Sequence, residues 1–242
     1  MEYKLITHID RINFFSEKFI SYYTKFFDKQ EFLFLINEKN STNLKQYLKL
    51  KNFNEDNFKV IKKNELGKGK VVTLQNEIQK NLLKENYIVV YADIDELIYH
   101  PNLKKYIEDT NENLYCPIGI EIIQDYDENF LDEDLPILEQ RNKYRKNINW
   151  KSKVCILKKE FKWTGGRHNK KNIIIDNNLF LIDIGKICSK IYKENNIYNK
   201  SFYTSVTGRY TLIDDNSINL EFDKFRKNLD ELKNLDIIKN FF

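Results

Sequence analysis

Five apolar residues in succession, Tyr87-Ile88-Val89-Val90-Tyr91, pass through Ala92 into Asp93-Ile94-Asp95-Glu96 before apolar character resumes at Leu97-Ile98. A run this short and this apolar reads as a strand buried on both faces, since a half-buried strand alternates and a helix needs more length. Acids do not belong inside such a strand. Asp93, Asp95 and Glu96 are therefore expected at its C-terminal end, the edge at which open α/β sheets bind ligands. Asp93 and Asp95 are two apart and project to the same side of an extended backbone. Two carboxylates there repel one another unless a cation lies between them, and a hard divalent ion that also binds substrate phosphates meets that need. The same acids also suit a capped turn, with Asp95 as the N-cap. Both readings stay open on these residues alone.

Elements alternate ahead of this strand. Lys4–Ile9 reads as a first strand that ends in the polar group His8, Asp10 and Arg11. Phe14, Phe15, Phe19, Ile20, Tyr22, Tyr23, Phe26 and Phe27 then recur at helical spacing. Glu31–Ile36 is a second strand with a polar end at Asn37 and Glu38, Asn43–Leu50 a short helix and Asn57–Lys62 a third strand. Gly67-Lys68-Gly69-Lys70 lacks the glycine spacing and the Lys-Ser/Thr pair of a phosphate loop, so it is expected as a turn before a helix at Val71–Lys84. Strand-helix alternation argues a parallel sheet with right-handed crossovers.

Beyond the acids, Pro101-Asn102-Leu103 is expected to start a helix that runs through about Glu108, given proline's preference for a first helical turn, and Asn113–Ile123 is expected as a strand. Acidic residues from Asp125 to Asp134 read as a solvated loop or, less simply, as a loop that closes over substrate. The basic stretch Arg141, Lys143, Arg145, Lys146, Lys151 and Lys153 reads as solvated surface, with phosphate contact as the alternative. Val154–Leu157 is a strand. In Phe161–Asn169, Gly165 and Gly166 permit close backbone approach, Arg167 and His168 bring anion or metal chemistry, and Trp163 offers a stacking face; a hairpin turn with an incidental His fits equally. Residues 173–184 read as two buried segments around Asp176-Asn177-Asn178, with Asp183 either a partnered core acid or a site residue. From Lys186 onward a polar helical extension is expected.

A chain of 242 residues with only seven Gly and three Pro offers no linker, so one domain is expected. A net charge of +4 falls short of a dedicated nucleic-acid binder but suits an anionic small substrate or loose contact with acidic lipid headgroups. With no 18-residue apolar run and no signal-peptide pattern, a cytoplasmic protein is expected, peripheral at the inner membrane face at most. Cys116, Cys155 and Cys188 are widely spaced in apolar surroundings and are expected as buried thiols.

Taken in order, the early Phe19-Ile20-Ser21-Tyr22-Tyr23 helix, Tyr91-Ala92-Asp93-Ile94-Asp95-Glu96-Leu97, Trp163-Thr164-Gly165-Gly166-Arg167-His168 and Leu179-Phe180-Leu181-Ile182-Asp183 resemble family-2-like GT-A glycosyltransferases. The nearest likeness is to the bacterial branch with an Asp-hydrophobic-Asp-Glu metal motif, and it covers most of the first 185 residues. That resemblance implies an α/β fold: a Rossmann-like, mostly parallel sheet flanked by helices, with a C-terminal helical tail. It divides the chain into a nucleotide-sugar half (1–112), a half that completes the metal and acceptor sites (113–185) and an extension (186–242). By the same resemblance Asp93 and Asp95 hold Mn²⁺ or Mg²⁺, with His168 as a further ligand or phosphate contact. His8, Asp10, Asn37 and Glu38 contact the nucleoside of a UDP- or GDP-sugar, and Gly165, Gly166 and Arg167 also bind substrate. Glu96 and Asp183 are catalytic candidates, Glu96 orienting the acceptor or acting as base. The acceptor is a glycan or a lipid-linked group, as in polysaccharide biosynthesis.

The chain departs from the branch at Asp183, where a His is common, and at Asn37-Glu38-Lys39, where an acidic uracil-binding loop is usual. Asp125, Asp127, Asp132 and Asp134 are base candidates by location only. Two other classes use the same acids: a metal-dependent nucleotidyltransferase or phosphohydrolase, and a non-catalytic GT-A-like domain that binds glycan.

Overall fold

A computed structural model describes residues 1–62, 70–129, 131–132, 135, 137, 140–141, 143–147, 151–164, 173–188, 190–194, 226 and 229–231. In chain order the elements are β1 (Glu2–Ile9), α1 (Phe14–Tyr23), β2 (Phe32–Asn37), α2 (Ser41–Leu50), β3 (Phe58–Ile61), α3 (Lys70–Lys84) and β4 (Tyr87–Tyr91). There follow β5 (Glu96–Tyr99), α4 (Leu103–Asp109), β6 (Leu114–Ile123), β7 (Lys143–Lys146), β8 (Ile156–Leu157), β9 (Ile175–Lys186) and β10 (Asp230–Glu231).

The α/β class with helices on both faces is as expected. β3, β2, β1 and β4 lie side by side in that order and run parallel. The chain moves from β1 outward to β2 and β3, then returns to the other side of β1 with β4. Right-handed crossovers then require the helices to change faces. They do: Phe15, Phe19, Tyr23, Leu44 and Leu48 of α1 and α2 join Leu5, Phe34 and Val90 in one core, while Ile78 of α3 joins Ile6, Leu35 and Val89 in another. The reversal leaves a switch point between β1 and β4, where the carboxyl ends of the two strands diverge.

Local chemistry fixes the first crossover. The Asn13 side chain accepts from the Ser16 amide at 3.0 Å while the Ser16 hydroxyl accepts from the Asn13 amide at 2.8 Å, a capping box that starts α1. The helix ends at Tyr23, earlier than its aromatic spacing predicts, and Phe26 and Phe27 follow in turns bonded back to Tyr23 O. They still pack against or within the core, so burial rather than helical continuity explains the pattern.

Past β4 the added pairings are mixed. β8 pairs antiparallel with both β4 and β6, β9 runs parallel to β6, and β5 runs antiparallel to β9. The segments expected around Asp176-Asn177-Asn178 are one strand, β9, with a register shift: Asp176 aligns with Pro117, but Ile118 aligns with Phe180. The Asp176 carboxylate accepts the Asn178 amide at 2.9 Å and so stabilises the bulge locally. β9 also runs through Lys186, where the helical extension was expected to begin, and the described helical residues start only at Lys190. Within that extension Asp230–Glu231 form a strand, not a helix, because they pair antiparallel with β7, Glu231 opposite Lys143. Apart from residues 186–188, 190–194, 226 and 229–231, the extension lies outside the described residues, as does most of the Gly67–Lys70 turn. Cys116, Cys155 and Cys188 are buried thiols. Among the described residues no helix is long and apolar enough to cross a membrane.

Candidate functional site

β4 ends at Tyr91, and the Glu96 amide bonds back to Asp93 O at 2.9 Å, closing a tight turn that launches β5. Asp93 and Asp95 therefore lie at the end of β4, at the switch point. Glu96 is instead the first residue of β5, where two helix tyrosines hold its backbone. The Tyr23 hydroxyl donates to Glu96 O at 3.2 Å and accepts from the Ile98 amide at 2.8 Å, while the Tyr22 hydroxyl donates to Ile98 O at 2.8 Å. These hydroxyls take the place of a neighbouring strand along that edge of β5.

The other edge of β5 brings in Asp183, which stands opposite Glu96 in the β5–β9 ladder. The Ile184 amide bonds to Asp95 O at 2.9 Å and the Gly185 amide to Asp183 Oδ1 at 2.8 Å. A side chain at Gly185 would crowd the acids: a Cβ there would lie 2.8 Å from Asp95 Oδ2 and 3.1 Å from Asp183 Oδ1. Four carboxylates, Asp93, Asp95, Glu96 and Asp183, thus gather from two stretches of chain.

A third stretch supplies the counter-charge. Lys153 Nζ is 2.7 Å from Asp93 Oδ2 and 2.6 Å from Glu96 Oε1, and the Lys151 ammonium pairs with Asp183. Gly119 of β6 makes this placement possible. A Cβ on it would fall 2.3 Å from the Lys151 carbonyl carbon and 2.4 Å from the Ser152 amide, so only glycine lets residues 151–152 lie flat on β6. The Gly119 amide then bonds to Ser152 Oγ at 2.8 Å. The solvated basic surface expected here is therefore corrected at Arg141 and Lys153, whereas Lys146 is exposed. The Lys153 side chain is only 4% exposed, and buried Arg141 donates through Nε to Ile187 O at 2.6 Å.

Electrostatics follow from this crowding. Burial, then the negative charges of Asp183, Glu96 and Asp93, push the Asp95 carboxyl well above the usual carboxylate range, against the pull of Lys151. Burial opposes the charged form of Lys151, but Asp183, with Glu96 and Asp95, outweighs it and holds the amine above its ordinary value. With Asp95 holding its proton, three carboxylates and two ammoniums leave one negative charge uncompensated, and a cation that displaced that proton would meet a second. An all-oxygen donor set with that surplus fits a hard divalent cation. Among the described residues no three His, Cys, Asp or Glu side chains are grouped to hold one ion together. The fit is therefore to an ion held by one or two carboxylates and completed by substrate oxygens, the usual habit of Mg²⁺.

The nucleoside candidates line the adjoining strand ends. His8 is near the end of β1 and Asp10 just beyond it, its carbonyl accepting Asn40 Nδ2 at 2.6 Å. Asn37 closes β2 and Glu38 follows, exposed. Buried Asn37 accepts the Lys39 amide at 3.1 Å, yet among the described residues its Nδ2 meets no hydrogen-bond partner. Gly165, Gly166, Arg167 and His168 lie outside the described residues. Trp163 is a core residue and not the stacking face expected: it is buried edge-on to Tyr91 at 5.5 Å between ring centroids, with Nε1 donating to Val154 O at 2.9 Å. Asp125, Asp127 and Asp132 belong to the expected loop at the carboxyl end of β6; Asp127 and Asp132 are exposed and Asp125 half-buried. Asp134 lies outside the described residues.

Sequence reasoning missed Lys151 and Lys153 as site residues. Their signal was spacing: two lysines two apart directly before the apolar Val154-Cys155-Ile156-Leu157.

No protein-family model matches the chain, and no curated protein matches it. Among solved structures, the crystal structure of HddC from Yersinia pseudotuberculosis is similar over 82% of this chain and 100% of that chain, at 15% identity and a TM-score of 0.37, a likeness too loose to bear on the site.

Proposed function

We propose that this chain is a GT-A-type glycosyltransferase that moves a sugar from a UDP- or GDP-sugar to a glycan or lipid-linked acceptor. The observation that carries the reading is the cluster of Asp93, Asp95, Glu96 and Asp183 at the β1/β4 switch point, four carboxyl groups set against only two lysine ammoniums. The donor diphosphate belongs at these acids and the nucleoside over the ends of β1 and β2, at His8, Asp10, Asn37 and Glu38. The unmatched Asn37 Nδ2 donor supports a polar ligand there, because a buried donor without a partner costs about 1–3 kcal/mol.

Asp93 and Asp95 are the residues proposed to hold Mn²⁺ or Mg²⁺, with His168 as a further ligand. Bound there, the ion supplies Lewis-acid neutralisation of the departing nucleoside diphosphate. The chain's own residues do the rest. Tyr23 and the β9 ladder fix the turn that carries Asp93 and Asp95, so the carboxylates need no reorganisation when charge develops. Glu96 and Asp183 are each ion-paired with lysine, which makes them acceptors held in place, suited to orienting a hydroxyl. Arg167, Gly165 and Gly166 are proposed to approach the donor from the later loop.

The test is a thermal-shift screen of nucleoside diphosphates and nucleotide-sugars with and without Mn²⁺, followed by assay of the products. A ligand at about 100 times its Kd adds about 2.7 kcal/mol of apparent stability. A shift for UDP or GDP that requires Mn²⁺, with sugar transfer and release of nucleoside diphosphate, is expected. No shift with any nucleotide overturns the reading. Release of pyrophosphate or inorganic phosphate moves it to nucleotidyl transfer or phosphate hydrolysis, and binding of glycan without turnover to a non-catalytic domain.

A further inference from the structure

Lys151 and Lys153 stand where a cation would be expected to stand. Lys153 Nζ bridges Asp93 Oδ2 and Glu96 Oε1 at 2.7 and 2.6 Å, and Lys151 holds Asp183, whose other oxygen lies beside Asp95 over Gly185. We propose that these two ammoniums compete with a divalent cation for the carboxylates, so that the protein takes up metal only together with a nucleoside diphosphate. The proposal rests on the nucleotide-sugar reading above and deepens it.

Burial is what couples the two events. Lys153 is 4% exposed and its partner Glu96 3%. A metal ion that arrives alone must displace this ammonium from Asp93 while offering it no new anion, leaving Lys153 with Glu96 alone, and a buried ammonium that loses one of its two carboxylate partners is destabilised. A diphosphate changes that balance by bringing anionic oxygens to the same place. The lysine ammonium is a compact charge on a flexible four-carbon stem, so it can turn from carboxylate to phosphate without movement of the backbone that Gly119 seats. Once it turns, the Asp93 carboxylate is released to join Asp95 on the metal side of the complex. Lys151 has the same option with less constraint, its side chain being 25% exposed. Metal and diphosphate thereby each raise the affinity for the other by the same factor, as linkage demands.

The experiment measures free Mn²⁺ by electron paramagnetic resonance in titrations of the full chain, with and without UDP or GDP, and needs no turnover. Wild-type protein is expected to bind Mn²⁺ weakly alone and at least tenfold more tightly with one of the diphosphates. Lys153→Met and Lys151→Met are expected to bind Mn²⁺ alone at least tenfold more tightly than wild type and to lose most of the diphosphate dependence. Lys153→Arg, which keeps the charge, should behave as wild type. Circular dichroism checks folding, and Lys151→Met, at a partly exposed side chain whose partner Asp183 also accepts the Gly185 amide, serves as the second variant if Lys153→Met does not fold. Folded Met variants that bind Mn²⁺ no more tightly than wild type overturn the proposal. Wild-type protein that takes up no Mn²⁺ with any diphosphate overturns the nucleotide-sugar reading instead, and Met variants that then still gain Mn²⁺ support the competition independently.

Discussion

Glu96 and Asp183 stand directly opposite one another in the antiparallel β5–β9 ladder, and each is paired with its own lysine, Lys153 for Glu96 and Lys151 for Asp183. Like charges facing each other across strands are destabilising. Here the repulsion is answered from a single short segment, because residues 151–153 lie flat on β6 over Gly119. Three stretches distant in sequence, 93–96, 151–153 and 183–185, thus form one electrostatic unit. A change in any of them is felt in the others.

Gly185→Ala tests how closely that unit is fitted. The added methyl would press on Asp95 Oδ2 at 2.8 Å and Asp183 Oδ1 at 3.1 Å, both side-chain atoms that can swing away. The fold therefore tolerates the change, with a Tm within a few degrees of wild type, but the carboxylates are displaced. Displacements of this kind near reacting groups cost on the order of 100-fold in rate. Paired measurement of Tm and kcat/KM checks it, and equal activity would mean that Asp95 and Asp183 need not converge.

Asp95→Asn should separate stability from function in the opposite sense. Burial and three neighbouring carboxylates hold the Asp95 carboxyl above its ordinary pKa, so the folded state is weakened as pH rises from the ordinary carboxylate range through the raised folded value. Asn removes that cost. The variant should melt a few degrees higher than wild type at pH 8, with little difference at pH 4, yet lose Mn²⁺-dependent nucleotide binding. A lower Tm at pH 8 would mean that Lys151 more than offsets the repulsion.

The alternation of β1 to β4 with α1 to α3 was legible because each element carries its own period, and the acids were legible because they interrupt a buried strand. Lys151 and Lys153 were not. Their neighbours Asp183 and Asp93 are tens of residues away, and what brings them together is the missing side chain at Gly119, which no local pattern marks. Asp176-Asn177-Asn178 misled in the same way: a turn-forming triplet usually ends a strand, but here it forms a bulge inside β9. Trp163 was visible as an aromatic in a glycine-rich loop, but its burial depends on Tyr91 and Val154 from other parts of the chain.

Gly119→Ala should contrast with Gly185→Ala. A Cβ at residue 119 meets backbone, 2.3 Å from the Lys151 carbonyl carbon and 2.4 Å from the Ser152 amide, so the whole 151–153 segment must lift from β6. Overpacking of this kind costs about 1–3 kcal/mol, and both lysines lose their seats beside Glu96 and Asp183. Urea denaturation should show a lower midpoint at an unchanged slope. An unshifted midpoint would show that the segment is not held against Gly119.

Glu121 supplies the clearest acid-sensitive element outside the carboxylate cluster. It is fully buried on β6, and burial alone would raise its pKa, but Lys186, Arg145 and Asn147 overcome that and hold it down to about 2. Arg145 Nε and Asn147 Nδ2 donate to Glu121 Oε2 at 3.0 and 2.8 Å, and the Lys186 ammonium to Oε1. Because the folded pKa is depressed, the unfolded chain binds the proton first on acidification. The contribution is thus fully present above the unfolded value of about 4.3 and is lost as pH falls through about 2. A shift of this size corresponds to roughly 3 kcal/mol. Wild-type protein should lose about that much more stability than Glu121→Gln between pH 5 and pH 2 in urea melts. Parallel pH profiles for the two proteins would show that the three donors do not lower the Glu121 pKa.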